Sequence, residues 1–299
     1  MTRYCGLLAG GTLTSAIVAL AVIATRSASA QAPAPGGFFD FSGEYAVLFH
    51  EDQPERIPGP EIGDYLGMPI NDAARLHADS WDASMLTLPE YQCRPHPADY
   101  GTRGPNVRIW KQIDTPSQSL VAFHTHSAWQ AQERTIWMDN RPHPPEYAAH
   151  TWQGFSTGVF EGDSLTITTT HIKVGYIRRN GLSRSDDAQI VEHWNRHDQY
   201  LTWMVWINDP HYLTEPLVRT SDYVENKRQQ IAPYPCQPVT EIGRVPGVVP
   251  NHPLGTNGFL DEFARRWGVP FEATRGGAET MYPEYMDKVK AMPKPAALK

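Results

Sequence analysis

Between Val107 and Thr220, apolar and polar residues alternate in short runs broken by turn residues, a period of two that predicts strands. The runs fall at 107–113, 119–126, 133–138, 155–160, 164–172, 188–196, 200–208 and 215–220, with an earlier one at 43–50. Glu161-Gly162-Asp163 and His197-Asp198-Gln199 supply short hairpin turns, and Asp209-Pro210 stops a strand because proline cannot donate to the ladder. So many strands with short links leave exposed edges unless the sheet closes on itself. The expected fold is therefore mainly β, an antiparallel meander closing into a barrel with a few short peripheral helices.

Two stretches carry the helical period instead. Asn71 is placed to cap a helix that would align Ala74, Ala78, Trp81 and Met85 on one face. Phe259, Phe263 and Trp267 recur every fourth residue before Gly268, which predicts a short amphipathic helix with a glycine stop. The segment 224–255, rich in proline, glycine and valine, has little periodicity and is expected to wrap the barrel surface. The resulting division is a signal peptide at 1–30, a flexible spacer at 31–42, a barrel domain at 43–223 with a helical insertion at about 70–88, and a C-terminal wrap at 224–299.

The signal peptide is read from Arg3, the mostly apolar run Leu7–Ala24 and the small-residue sequence Ala28-Ser29-Ala30. It predicts a periplasmic or secreted protein with no stable membrane span after cleavage. Cleavage would remove Arg3 and Arg26, leaving 26 − 2 = 24 basic residues against 33 acidic ones, a net charge of −9 with histidine neutral. That balance disfavours nucleic acid as a partner. Two cysteines then remain, Cys93 and Cys236, each in a proline-rich segment, and an oxidising compartment makes a disulfide between them the expectation. Closing so long a loop stabilises a fold by about 4 to 5 kcal/mol in the chain-entropy model.

Candidate chemistry follows from the same alternation. His124 and His126 share a face with Leu120 and Ala122, and His171 shares one with Leu165, Ile167 and Thr169. If both faces point inward, three histidines meet in one cavity. Imidazoles two residues apart on a strand are about 7 Å apart and can converge on a divalent metal such as zinc, so His124, His126 and His171 are the candidate ligands. The spacing invites comparison with cupins, but the expected glutamate is absent, since Gln130 and Ala131 stand in its place. The same three histidines, with Glu192 in the inward run Ala188, Ile190, Glu192, Trp194, are the candidates for general acid–base catalysis. Trp137, His150, Trp152 and Trp206 are candidates for a ligand-binding wall, and Arg179, beside Arg178 at the barrel mouth, for holding a ligand carboxylate. Trp203, on the apolar row Leu201, Val205, Ile207, belongs to the core. Gly154-Phe155-Ser156-Thr157-Gly158 has the spelling of a nucleophile elbow, yet a strand-like segment follows the serine where the elbow requires a helix.

The segments Trp137-Met138-Asp139-Asn140-Arg141-Pro142-His143-Pro144, His150 to Gly158, Glu161-Gly162-Asp163-Ser164-Leu165 and Thr169-Thr170-His171 resemble a group of exported bacterial proteins. That group's pattern reads Asp-Gly-Arg-Pro-His-Pro, then Trp-x-Gly-x-Ser-x-Gly-x-Trp-Glu-Gly-Asp; here Asn140 replaces the glycine and Phe160 the second tryptophan. The resemblance spans roughly 109–220. Its strand-rich signature is similar to calycin-type barrels, which mostly bind small apolar molecules and occasionally catalyse isomerisation, hydration or cyclisation. The leading expectation is thus an exported barrel holding a small apolar or aromatic molecule in a cavity lined by His124, His126, His150, Trp152 and His171. An enzyme on the same cavity is the second reading. A structural envelope protein, using the C-terminal wrap as its contact surface, is the third, and a filled barrel would favour it.

Overall fold

A computed structural model describes residues 39–49, 60–101, 103–128, 132–241, 243–245 and 248–296. The expected signal peptide, most of the spacer and His50 lie outside these residues. The strands are β1 (Gly43–Leu48), β2 (Val107–Ile113), β3 (Leu120–Ser127), β4 (Gln132–Trp137), β5 (Phe155–Glu161), β6 (Ser164–Thr170), β7 (Gly175–Tyr176), β8 (Ser183–Arg184), β9 (Gln189–His197), β10 (Tyr200–Asn208) and β11 (Leu217–Glu225). Nine of them form a closed barrel in the order β1-β11-β10-β9-β6-β5-β4-β3-β2, with β2 returning to β1, while β7 and β8 pair separately. Closure depends on the end of β11, where Glu225 pairs with Tyr45. The last strand therefore runs past the expected start of the wrap at 224.

The turns explain the tight hairpins. β5 and β6 are joined through Gly162, and β9 and β10 through Asp198, each at positive φ (65° and 51°) as primed hairpin turns require. The meander fails at one point. β4 and β5 run parallel, because the long loop 138–154 carries the chain back to the end from which β4 started, and they share only the pairs Ile136↔Ser156 and Trp137↔Thr157. The barrel wall consequently has a seam.

Inward-facing side chains fill the barrel. Phe41 meets Phe123 edge-on at 6.0 Å and Trp194 at 5.7 Å, and Trp194 packs on Trp203 at 4.5 Å, with Leu165, Ile167 and Ile190 around them. Burying each such side chain contributes roughly 1.5–3 kcal/mol. As expected, Trp203 is a core residue.

Asn71 caps the first helix, α1 (Asp72–Asp79), accepting from the Ala74 amide at 3.0 Å, and Ala74 and Ala78 are buried. The helix stops at Ser80, short of the expected Met85. Trp81 instead bridges to Asn251, and Ala83–Thr87 forms a 3-10 turn started by the Asp82 side chain. Short helices α2 (Pro89–Gln92) and α3 (Ala98–Gly101) follow. Near the C-terminus, α4 (Glu262–Trp267) ends at Gly268 with φ 66°, then come α5 (Phe271–Thr274) and α6 (Tyr285–Ala291). Phe259 and Trp267 remain exposed and α4 buries Ala264, so the aromatic face expected to pack does so only in part. Cys93 and Cys236 form the expected disulfide across a sequence separation of 143, with Cα atoms 5.7 Å apart. Among the described residues no helix is long and apolar enough to cross a membrane.

Candidate functional site

The interior of the barrel is polar at one place. Arg134 and Glu192, 5% and 0% exposed, form a bidentate pair with Nη2 2.6 Å from Oε1 and Nη1 3.1 Å from Oε2. The Trp203 indole N–H donates to Glu192 Oε2 at 2.7 Å, while Arg134 Nε donates to Ser156 Oγ and Nη2 to Thr169 Oγ1. Glu192 thus points inward as the alternation predicts, and its partner is a cation rather than a histidine. Ser156 lies within a strand, buried and committed to Arg134 and Thr169, so the elbow spelling carries no nucleophile. The recess beside Arg134 measures about 10 Å³, too little for more than one water.

The histidines are elsewhere. On β3 the inward row is Phe123 and Thr125, and His124 and His126 belong to the outer row, contrary to expectation. The β2–β3 register shifts between Gln112 and Ile113, opposite Leu120, so the burial of Leu120 does not extend down its row to His124. His124 stacks on Trp110, and its ring nitrogens are taken up by Thr135 Oγ1 at 3.1 Å and Gln112 Oε1 at 3.0 Å. Burial holds it below the usual imidazole value. His126 is buried with Glu133 3.4 Å away, outside hydrogen-bonding geometry. His171 also leaves its predicted row, because φ there is +55° and β6 has ended at Thr170.

His171 belongs to an outer chain of hydrogen bonds. Pro145 C=O can only accept, so His171 Nε2–H donates to it at 2.9 Å, and Nδ1 lies 2.8 Å from Thr170 Oγ1. Thr170 Oγ1 also lies 2.7 Å from His143 Nδ1, and His143 Nε2 lies 2.8 Å from Thr157 Oγ1. Burial, then the proximity of His171, keeps His143 below its ordinary pKa. His150 packs on His171 with ring centroids 5.3 Å apart. Three histidines thus pin the loop 138–154 onto the wall. Among the described residues no group of three or more His, Cys, Asp or Glu is placed to hold a metal ion, and the proposed set His124, His126, His171 is not brought together.

Trp137 lies under the Arg141 guanidinium at 3.4 Å, and Trp206 meets His193 edge-on at 4.9 Å. Arg179 is exposed at a shallow cleft beside Trp81 and Phe259. Of the predicted ligand-binding residues, Trp137 and Trp152 line an open cleft on the wall with Phe155, and Trp152 also lines a more enclosed aromatic recess outside the barrel, between its wall and the helical insertion. The recess has a volume of about 130 Å³. Trp81, Tyr91, Trp152 and Tyr176 supply its rings, with Met85 and Pro97 between them.

Local sequence builds this recess. The strap Arg94-Pro95-His96-Pro97 crosses the β4–β5 seam, held by Gln132 and Gln153, whose amides both donate to the His96 carbonyl, at 2.6 and 2.7 Å. α1 approaches the β7–β8 turn closely: Gly181 has φ +98°, and a Cβ there would lie 2.6 Å from Trp81 Cβ. His77 Nδ1–H donates to the Gly181 carbonyl at 3.2 Å. Arg94 stacks over Tyr91 at 3.6 Å and over Trp152 at 4.5 Å, and Lys173 stands 4.9 Å above Trp152.

The recess is an apolar, aromatic slot with cations at its mouth and several polar atoms sealed behind its walls. Trp81 is 6% exposed, and its indole N–H, the Arg94 Nε–H and the Tyr176 hydroxyl are all shielded from solvent and without a completed hydrogen bond. The Trp81 N–H leans towards Tyr176 without closing on it. Burial pushes the Tyr176 phenol up to about 12, so it is a neutral donor. His96 keeps part of its ring open to the recess, yet surrounding protein, then the Arg179 charge, brings it down to about 4. The sequence signal for most of these residues was the strap's Pro-His-Pro spelling and the Ala78–Trp81 spacing. Neither indicates that the two segments meet. Comparisons of the chain with protein-family profiles, with curated proteins and with solved structures give no match.

Proposed function

We propose that this is an exported barrel protein that binds a small aromatic or apolar molecule, not inside the barrel but in the recess between its wall and the helical insertion. The observation that carries this reading is the recess itself, a void of about 130 Å³ walled by the rings of Trp81, Tyr91, Trp152 and Tyr176. The volume of about 130 Å³ is that of a one-ring molecule, since an apolar cavity of about 150 Å³ accommodates benzene. Pockets of this kind combine apolar walls with a few directed polar groups. The filled barrel favours the structural reading as well, and the same experiment separates the two.

The test is titration of the purified protein with benzyl alcohol, followed by tryptophan fluorescence and ligand-observed NMR. Val174 lines the recess and is 48% exposed, so Val174→Trp should fold normally while filling the slot. Binding that weakens at least tenfold in this variant supports the reading. Equal binding by both proteins, or none by the wild type at millimolar concentrations, overturns it in favour of a structural role.

A further inference from the structure

The mouth of the recess holds an unbalanced charge. Arg94 and Lys173 both stack on Trp152, and one carboxylate serves both: Glu241 lies 3.4 Å from Arg94 Nη2 through Oε1 and 2.7 Å from Lys173 Nζ through Oε2. Glu90, which also feels the Arg94 charge, is already bound to Arg244, so among the described residues the two cations sharing Glu241 leave a net positive charge beside the slot. Glu241 is exposed, belongs to the irregular segment after β11, and makes its Arg94 contact at long range. The segment is held there covalently, because Cys236, five residues before Glu241, is bonded to Cys93, the neighbour of Arg94. The walls behind this mouth are aromatic and apolar, with Trp81, Met85, Pro97 and Tyr176 among them.

A surplus positive charge at the mouth and room for one ring describe a complementary ligand. We propose that the ligand is a one-ring aromatic carboxylate, and that Glu241 occupies its carboxylate subsite in the free protein as a tethered, displaceable latch. This rests on the recess being a binding site. The ring enters between Trp81, Met85, Tyr176 and Pro97, and the carboxylate accepts from Arg94 and draws Lys173 away from Glu241. Charge-assisted bonds of this kind are roughly twice as strong as neutral ones. The latch keeps both cations paired when the slot is empty and competes with the ligand for them, which sets a ceiling on affinity.

Benzoate and its neutral counterpart benzyl alcohol distinguish the terms. Wild-type protein should bind benzoate more tightly than benzyl alcohol, and added salt should weaken benzoate alone. Glu241→Gln should tighten benzoate by about fivefold, the scale of a partly exposed ion pair, and leave benzyl alcohol unchanged. Lys173→Met, at a side chain 34% exposed, should weaken benzoate by a similar factor with no effect on benzyl alcohol. If benzyl alcohol binds in a Val174→Trp-sensitive way but benzoate gains nothing and neither variant changes the ratio, the carboxylate subsite is wrong and the recess reading stands. If neither probe binds the wild type, both are wrong.

Discussion

Asn140 has φ +63°, and it stands where the resembled pattern carries glycine. Left-handed backbone suits glycine best and asparagine next, so the substitution keeps the turn that leads into Arg141-Pro142-His143-Pro144. His143 then reaches Thr157 and Thr170. The motif is therefore an anchor for a loop, and its histidine is spent on structure. At the same scale, Glu192→Ala should destabilise the protein by about 3–5 kcal/mol in urea unfolding, because it leaves the Arg134 charge buried and unpaired. The double change Arg134→Met with Glu192→Leu should recover most of that loss, since an apolar pair of similar volume needs no desolvation. Alternation made the position of Glu192 legible. It could not name the partner, because β4 carries polar residues on both rows, Gln132 and Arg134 inward and Glu133 and Thr135 outward. Nor could it place His124, because β3 is apolar on both rows near Leu120–Phe123 and the register shift that separates them is a property of the pairing.

Among the elements, most barrel strands were legible to within two residues, but the last one was read only to Thr220 whereas β11 runs to Glu225, and the short β7–β8 pair was not read. The caps of α1 and α4 followed the residues that announced them. The parallel β4–β5 pair was not legible, since nothing in either strand says which way its neighbour runs; that is decided by the path of the loop 138–154. The recess was illegible for the same reason. Trp81, Arg94, Trp152 and Tyr176 come from four separate segments; Trp81 reads as part of a helix face and Trp152 as part of a cavity wall, but nothing in either segment says that they meet. Gly181 is the point where two of these segments touch. Gly181→Ala should cost about 1–3 kcal/mol through positive-φ strain and the clash with Trp81 and Ala78. It should also shift tryptophan emission and weaken benzyl alcohol binding by displacing Trp81, whereas a purely local strain would change stability and leave emission and binding alone.

For the molecule as a whole, acid sensitivity should come from histidines held neutral. His96 is lowered to about 4, by burial and then by Arg179, and His124 and His143 are lowered in the same direction chiefly by burial. The unfolded chain binds these protons near pH 6.5 and the folded one resists them, so their share of stability is complete above pH 6.5 and is lost as the pH falls towards 4. His211 works the other way: its hydrogen bond to Asp187 raises it, so its contribution is present below pH 6.5 and disappears as the pH climbs through the raised value. It is exposed, and its share is small. Thermal midpoints should therefore decline from pH 7 to pH 4, and His96→Gln should flatten that decline. An unchanged slope in the variant would show that His96 is protonated at its ordinary value.

The Cys93–Cys236 link encloses the loop 138–154, whose tip at Tyr147 stands in solvent. A single proteolytic nick at that tip would yield two fragments that still migrate as one covalent molecule. Such a cut would thus leave the strap, Glu241 and the aromatic slot in register, and the link would serve this protein as insurance against a broken backbone.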